Sequence, residues 1–138
     1  MRVVADTNVL VSALIFPGGP PEAFYRLVLG RQVELVTSRP LLAEFGRVLG
    51  EKFGWEPAQA EELIEQLIRL ATIVDPQEAV NEVAADPTDN RVLEAAAEGR
   101  VDAIVSGDQH LLALVAWREI VIYSPSAFLT HFGAEAAR

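Results

Sequence analysis

Arg2-Val3-Val4-Ala5-Asp6-Thr7-Asn8-Val9-Leu10 is the stretch whose reading decides the fold. Val3, Val4 and Ala5 form an unbroken apolar run, the pattern of a parallel strand covered on both faces rather than the alternation of a half-exposed one. The run stops at a carboxylate. In open α/β sheets ligands bind just beyond the carboxyl ends of the strands, where the strand order reverses, so Asp6 stands where a functional acid is expected. A plainer reading also fits: Thr7 or Asn8 caps the next helix and Asp6 favours its N-terminus.

Working outward, Val9 predicts a short helix over 9–16, and Pro17-Gly18-Gly19-Pro20-Pro21 an irregular loop before a helix over 22–29 that stops at Gly30. A second strand is expected at 33–36, with Ser38 placed to cap a helix over 40–49. That helix carries Leu41, Leu42, Phe45, Val48 and Leu49 on one stripe, and Gly50 and Gly54 bracket the turn after it. Residues 58–71 form the clearest amphipathic helix, with Leu63, Ile64, Leu67, Ile68 and Ala71 as its buried face. A third strand at 72–74 is followed by a loose segment, then by a helix from Asp86-Pro87-Thr88-Asp89 to Ala97 that stops at Gly99. Strands at 103–105 and 120–123, a short helix over 111–115 and a last helix over 125–132 complete the chain. Strands alternating with helices predict an α/β fold with a parallel sheet.

Composition narrows the function. The 138 residues suit one domain and are 51% hydrophobic, with a mean hydropathy of +0.24, which excludes a disordered chain. No apolar stretch reaches the length of a membrane span. The chain starts on a strand rather than on a basic segment and a cleavage site, so a cytoplasmic protein is expected. There is no cysteine, which removes disulfides, thiolate nucleophiles and sulfur-ligated zinc. A net charge of −9 and a pI near 4.6 argue against a general nucleic-acid binder, although cations held by clustered carboxylates and local arginine patches escape that count. Lys52 is the sole lysine; Arg39, Arg47 and Arg91 are the arginines expected near a site.

The acids fall into a pattern. Ala103-Ile104-Val105-Ser106-Gly107-Asp108 mirrors the opening stretch: an apolar run, a small polar residue, an acid. With strands one and four adjacent, Asp6 and Asp108 face each other at one sheet edge. Asp86 reads best as a helix N-cap, with Pro87 at N1, while Asp89 lies one turn inside and serves both helix and site. Glu44 sits on the flank of its helix stripe. Several carboxylates with neither cysteine nor a histidine pair favour a hard-oxygen cation, magnesium or manganese, and phosphodiester hydrolysis over sugar chemistry. His110 and His131 read as surface or capping residues, and Trp55 and Trp117 as packing or interface residues.

Asp6-Thr7-Asn8-Val9-Leu10, the helix with Glu44, Asp86-Pro87-Thr88-Asp89-Asn90 and Ser106-Gly107-Asp108 together resemble the PIN-domain nucleases, across nearly the whole chain. The closest group looks like the PIN-family toxins of toxin–antitoxin systems, relatives of the VapC ribonucleases. The resemblance implies a single PIN-like domain over residues 1–138. It implies a three-layer α/β/α sandwich with a parallel five-stranded sheet of order 3-2-1-4-5. It also implies that Asp6, Glu44, Asp89 and Asp108 form a catalytic, metal-binding quartet for one or two Mg2+ or Mn2+ ions, with Asn8, Ser106 and Asp86 in support. The implied activity is an endoribonuclease, a hydrolase that leaves 5′-phosphate and 3′-hydroxyl ends. The implied partners are RNA, a small cognate antitoxin and a second copy in a homodimer, with no membrane. The alternative is a catalytically weak PIN fold acting as an interaction module.

Overall fold

The computed structural model describes residues 1–136. Its elements run β1 (Arg2–Ala5), α1 (Thr7–Ile15), α2 (Pro20–Leu29), β2 (Glu34–Ser38), α3 (Arg39–Phe53), α4 (Pro57–Leu70), β3 (Thr72–Val74), α5 (Pro87–Gly99), β4 (Ala103–Val105), α6 (Gln109–Leu112), β5 (Ala116–Trp117), β6 (Ile120–Tyr123) and α7 (Pro125–Ala136). The sheet order is β3-β2-β1-β4-β6-β5. Its first five members are parallel throughout, so with β6 counted as the fifth strand the expected order 3-2-1-4-5 is the one observed.

The sheet is six-stranded rather than five-stranded because β5 adds an antiparallel edge against β6. It follows the helix expected over 111–115, which instead starts at Gln109, closes at Leu112 and leaves 113–115 as a turn into the strand. The hairpin turns on Arg118 and Glu119, both left-handed, at φ 49° and 68°. Two successive positive φ values are the geometry of a type I′ turn, which Asn and Gly ordinarily supply. Arg-Glu carries no such signal, so the hairpin is illegible locally. It is held instead by tertiary contacts: the Arg118 guanidinium lies 4.2 Å over the Trp117 ring and pairs with Glu78.

Strand residues alternate between two apolar layers, and both layers are covered. Val3, Ala5, Leu35, Ala103 and Val105 pack with helices α1, α2, α3, α4 and α7. Val4, Val36, Ile104 and Ile122 pack with α5, α6 and the segment carrying Val80 and Val83. This is why the strands read as unbroken apolar runs. Fully buried side chains such as Phe24, Phe45, Leu93 and Phe128 each contribute roughly 1.5–3 kcal/mol of transfer free energy.

Three local expectations are refined. Gly99 ends α5 for a packing reason: a Cβ there would lie 2.7 Å from Val36 Cγ1 on β2, while the left-handed cap is Arg100 at φ 48°. On α4, Leu67 is buried but Ile68 is 48% exposed, because this outer helix rests on α3 and only one narrow stripe of it is covered. The helix over 40–49 also runs on through Gly50 to Phe53 and closes at Gly54, whose φ of 68° suits glycine.

Candidate active site

The strand order places β2 on one side of β1 and β4 on the other, so the chain reverses direction across the sheet between β1 and β4. Their carboxyl ends open a crevice there. Ala5 pairs with Val105, and the next backbone N–H, that of Asp6, donates to the Val105 carbonyl at 2.9 Å. Asp6 is only 3% exposed. It, and not Thr7 or Asn8, is the N-cap of α1: its Oδ1 accepts the Asn8 backbone N–H at 3.3 Å.

Its other oxygen, Oδ2, accepts the hydroxyl of the fully buried Ser106 at 2.7 Å. The same Ser106 Oγ accepts the Asp108 backbone N–H at 3.0 Å. One serine thus links the acid after β1 to the acid after β4. Asp108 caps α6, its Oδ1 accepting the N–H groups of His110 at 2.8 Å and Leu111 at 3.3 Å. Asp86 caps α5, its Oδ1 accepting the Thr88 N–H at 3.0 Å. Three helix starts therefore converge on one edge, each capped by an aspartate that uses one oxygen for the cap. N–H groups at helix starts favour this concentration of negative charge.

Asp89 is different. It lies inside the first turn of α5, 3% exposed, and its Oδ2 is buried with no hydrogen-bond partner. One carboxylate oxygen from each of Asp86, Asp89 and Asp108 falls within 4.8 Å of the others. Burial, the close approach of Asp108 with which it can share a proton, and then the charges of Asp108, Asp86 and Asp6 push the Asp89 carboxyl up to about 7. Burial likewise raises Asp6; the Ser106 and Asn8 hydrogen bonds draw it partly back, and Asp108 and Asp86 add to the rise. A buried acid among acids, with an unmatched oxygen, is the arrangement that a hard divalent cation relieves.

Glu44 stands apart from this cluster of three. It shares a cavity of about 150 Å³ with Asp6, Asn8, Asp86 and Asp89, but its carboxylate is held by Arg47, at 2.9 Å to Nε and 2.5 Å to Nη2. Arg47 also binds Glu51. Lys52 lines the same cavity. Its place was readable as the helical stripe 44, 48, 52, one residue every turn from Glu44. Of the other arginines, Arg91 pairs with Glu94 at 2.9 Å and Arg39 is exposed at the start of α3. His110 is exposed, and His131 stacks on Tyr123 with ring centroids 5.1 Å apart. Trp117 is buried and Trp55 packs on the core from its edge.

Among the described residues, no helix is long and apolar enough to cross a membrane. The family model of the PIN domain matches residues 2–110, a span that holds Asp6, Glu44, Asp86, Asp89 and Asp108. An uncharacterized protein of Methanocaldococcus jannaschii is 30% identical over 118 residues, covering 83% of this chain and 75% of that protein. Solved structures share the fold. VapBC2 from Rickettsia felis, bound to a DNA fragment from its promoter, matches with a TM-score of 0.60 at 13% identity, over 88% of this chain and 97% of that one. PAE2754 from Pyrobaculum aerophilum matches at 0.61 and 15%, over 96% and 89%. FitAcB from Neisseria gonorrhoeae matches at 0.52 and 17%, over 90% and 98%.

Proposed function

Because this chain belongs to the PIN-domain family, a family of nucleases, we propose that it is a divalent-metal-dependent endoribonuclease and the toxin of a toxin–antitoxin pair. The observation that carries the reading is the unmatched, buried Oδ2 of Asp89 beside Asp86 and Asp108. The three donors drawn together are carboxylate oxygens, which suits Mg2+ or Mn2+, one or two ions, and not a sulfur-loving metal. In this reading Asp89 and Asp108 hold the ion with Asp6 and Glu44, and those four are the catalytic residues. Asp86 is an additional acid that anchors α5. When bound, the ion supplies an activated water and charge stabilisation for in-line phosphoryl displacement.

The chain's own groups supply position. Ser106 orients Asp6 and fixes the Asp108 backbone, so neither acid needs to reorganise. Asn8 fixes Asp6 through its N–H and lends its exposed amide to the cavity mouth. Arg47 and Lys52 meet the phosphates of a chain laid across the acids, which answers how so acidic a protein collects RNA. The toxin assignment draws on the VapBC2 and FitAcB neighbours, which carry the same fold. A small antitoxin, a homodimer and a cytoplasmic location belong to the same proposal. The test is cleavage of a single-stranded RNA with Mn2+ by wild type and Asp6→Asn. Loss of cleavage in the variant is expected, and full activity would overturn the assignment. Calorimetric titration with Mn2+ separates an enzyme from an interaction module, because a module should bind the ion no better than the variant does.

A further inference from the structure

Beside the acids lies a second, larger cavity of about 670 Å³, within the range of small-ligand sites. It is walled by α1, the first residues of α2, the turn between β4 and α6, and the start of α7. The two cavities adjoin at Asn8, which lines both, and Asp108, a member of the acidic cluster, lines the larger one. Their chemistry differs. Arg47 and Lys52 line the acidic cavity, whereas among the described residues the larger one is lined by no arginine or lysine and by one carboxylate, that of Asp108. Pro20, Pro21, Pro125 and Val9 give it flat apolar walls, and His110 and Ser126 give it side-chain hydrogen-bonding groups.

A phosphate would find no arginine or lysine among the described residues there. A flat, weakly polar heterocycle would find surfaces to stack on and edges to hydrogen-bond. We propose that this cavity receives the unpaired nucleoside flanking the scissile phosphate, so that the protein reads one base and needs it unstacked. The inference rests on the ribonuclease reading, since it is the phosphodiester lying against the acids that brings a nucleoside to this wall. A base inside a duplex is paired and stacked, and entry would require its extrusion.

Gly107 offers a clean probe, because a Cβ there would meet no heavy atom within 4 Å. The added Cβ would stand in open space on a residue that lines the cavity. Ser126, exposed in the first turn of α7, is a second probe, remote in sequence from the acids. The experiment measures kcat/KM with Mn2+ on single-stranded oligoribonucleotides that vary the base on either side of one cleavable step, and on a duplex of the same sequence. Wild type, Gly107→Val and Ser126→Leu are compared, with Mn2+ affinity followed by calorimetry. Wild type is expected to discriminate among bases at one flanking position by about tenfold or more and to cut the duplex at least as much more slowly. Both variants should lose that discrimination and raise KM with Mn2+ affinity unchanged. Wild type that cuts RNA without base preference, or variants that keep the wild-type preference and KM, would overturn the inference while leaving the ribonuclease reading intact. Wild type that neither binds Mn2+ nor cuts RNA would remove the reading itself, and the inference with it.

Discussion

Asp89 and Glu94 lie on the same helix, α5, and both are buried, at 3% and 9% exposure. Their surroundings are opposite. Glu94 accepts the Val80 N–H at 2.9 Å and pairs with Arg91 at 2.9 Å. One turn earlier, the Asn90 side chain accepts the Val83 N–H at 2.8 Å and donates to the Val83 carbonyl at 2.7 Å. This middle part of α5 therefore clamps the loop that leads into it, through the matched Glu94 carboxylate and Asn90 amide. At the helix start Asp89 faces two more carboxylates and keeps one oxygen unmatched. A buried carboxylate is not itself a sign of function; a buried carboxylate whose partner the chain withholds is one.

The contrast can be broken most severely through activity. Asp89→Asn should lower Mn2+-dependent RNA cleavage by roughly a thousandfold or more, whereas Glu94→Gln should stay within a few-fold at a temperature where it is folded. Comparable losses in the two variants would erase the distinction. Stability should show the reverse order. Asn90→Ala leaves the buried Val83 N–H and carbonyl without partners and should cost about 2–4 kcal/mol in urea unfolding, with faster amide exchange near residue 83. A cost near zero would mean that the clamp is incidental.

Asp89→Asn should by contrast stabilise the metal-free protein at pH 8, by about 1–2 kcal/mol, as relief of a site built for function. The pH dependence has a definite sign. In the folded chain Asp89 holds its proton up to about 7, against an ordinary 3.8. Between those values the folded state binds more protons than the unfolded one, so this group's contribution makes stability fall as pH rises. Thermal unfolding at pH 5 and pH 8, taken as the difference between wild type and Asp89→Asn, should show wild type losing ground at the higher pH. Mn2+ added at pH 8 should restore it by mass action. A pH-independent difference would locate the unmatched charge elsewhere.

The smallest expected effect is at Arg47, which occupies Glu44 on an exposed helix face. Arg47→Ala should tighten Mn2+ binding by about twofold to fivefold, by freeing Glu44 and removing a nearby positive charge, and should raise KM for RNA. Weaker Mn2+ binding would show instead that Arg47 holds Glu44 in place.

Much of this was legible along the chain. The apolar runs named β1, β4 and β6, and Ser38, Asp86 and the prolines marked helix starts. Capping and ligation, however, were weighed as rivals for Asp6 and Asp86. In the folded chain Asp6 and Asp86 both cap, each through one carboxylate oxygen, so capping does not occupy the whole group. The β5–β6 hairpin escaped because Arg118 and Glu119 adopt left-handed backbone without the residues that announce it. Gly99 marked the end of α5 correctly, though what requires glycine is Val36 on a distant strand.

By itself the sequence determined the α/β alternation, the order of strands through its family pattern, and the placing of acids after strands and at helix starts. These follow from local patterning: apolar runs, caps and turn residues act within a few positions. Only the tertiary structure decided which acids meet. It drew carboxylate oxygens of Asp86, Asp89 and Asp108 within 4.8 Å of one another, tied Asp6 to a serine 100 residues away, and left Glu44 at the cavity wall on Arg47. Burial and the presence or absence of a partner set a carboxylate's charge, and both depend on chain segments remote in sequence.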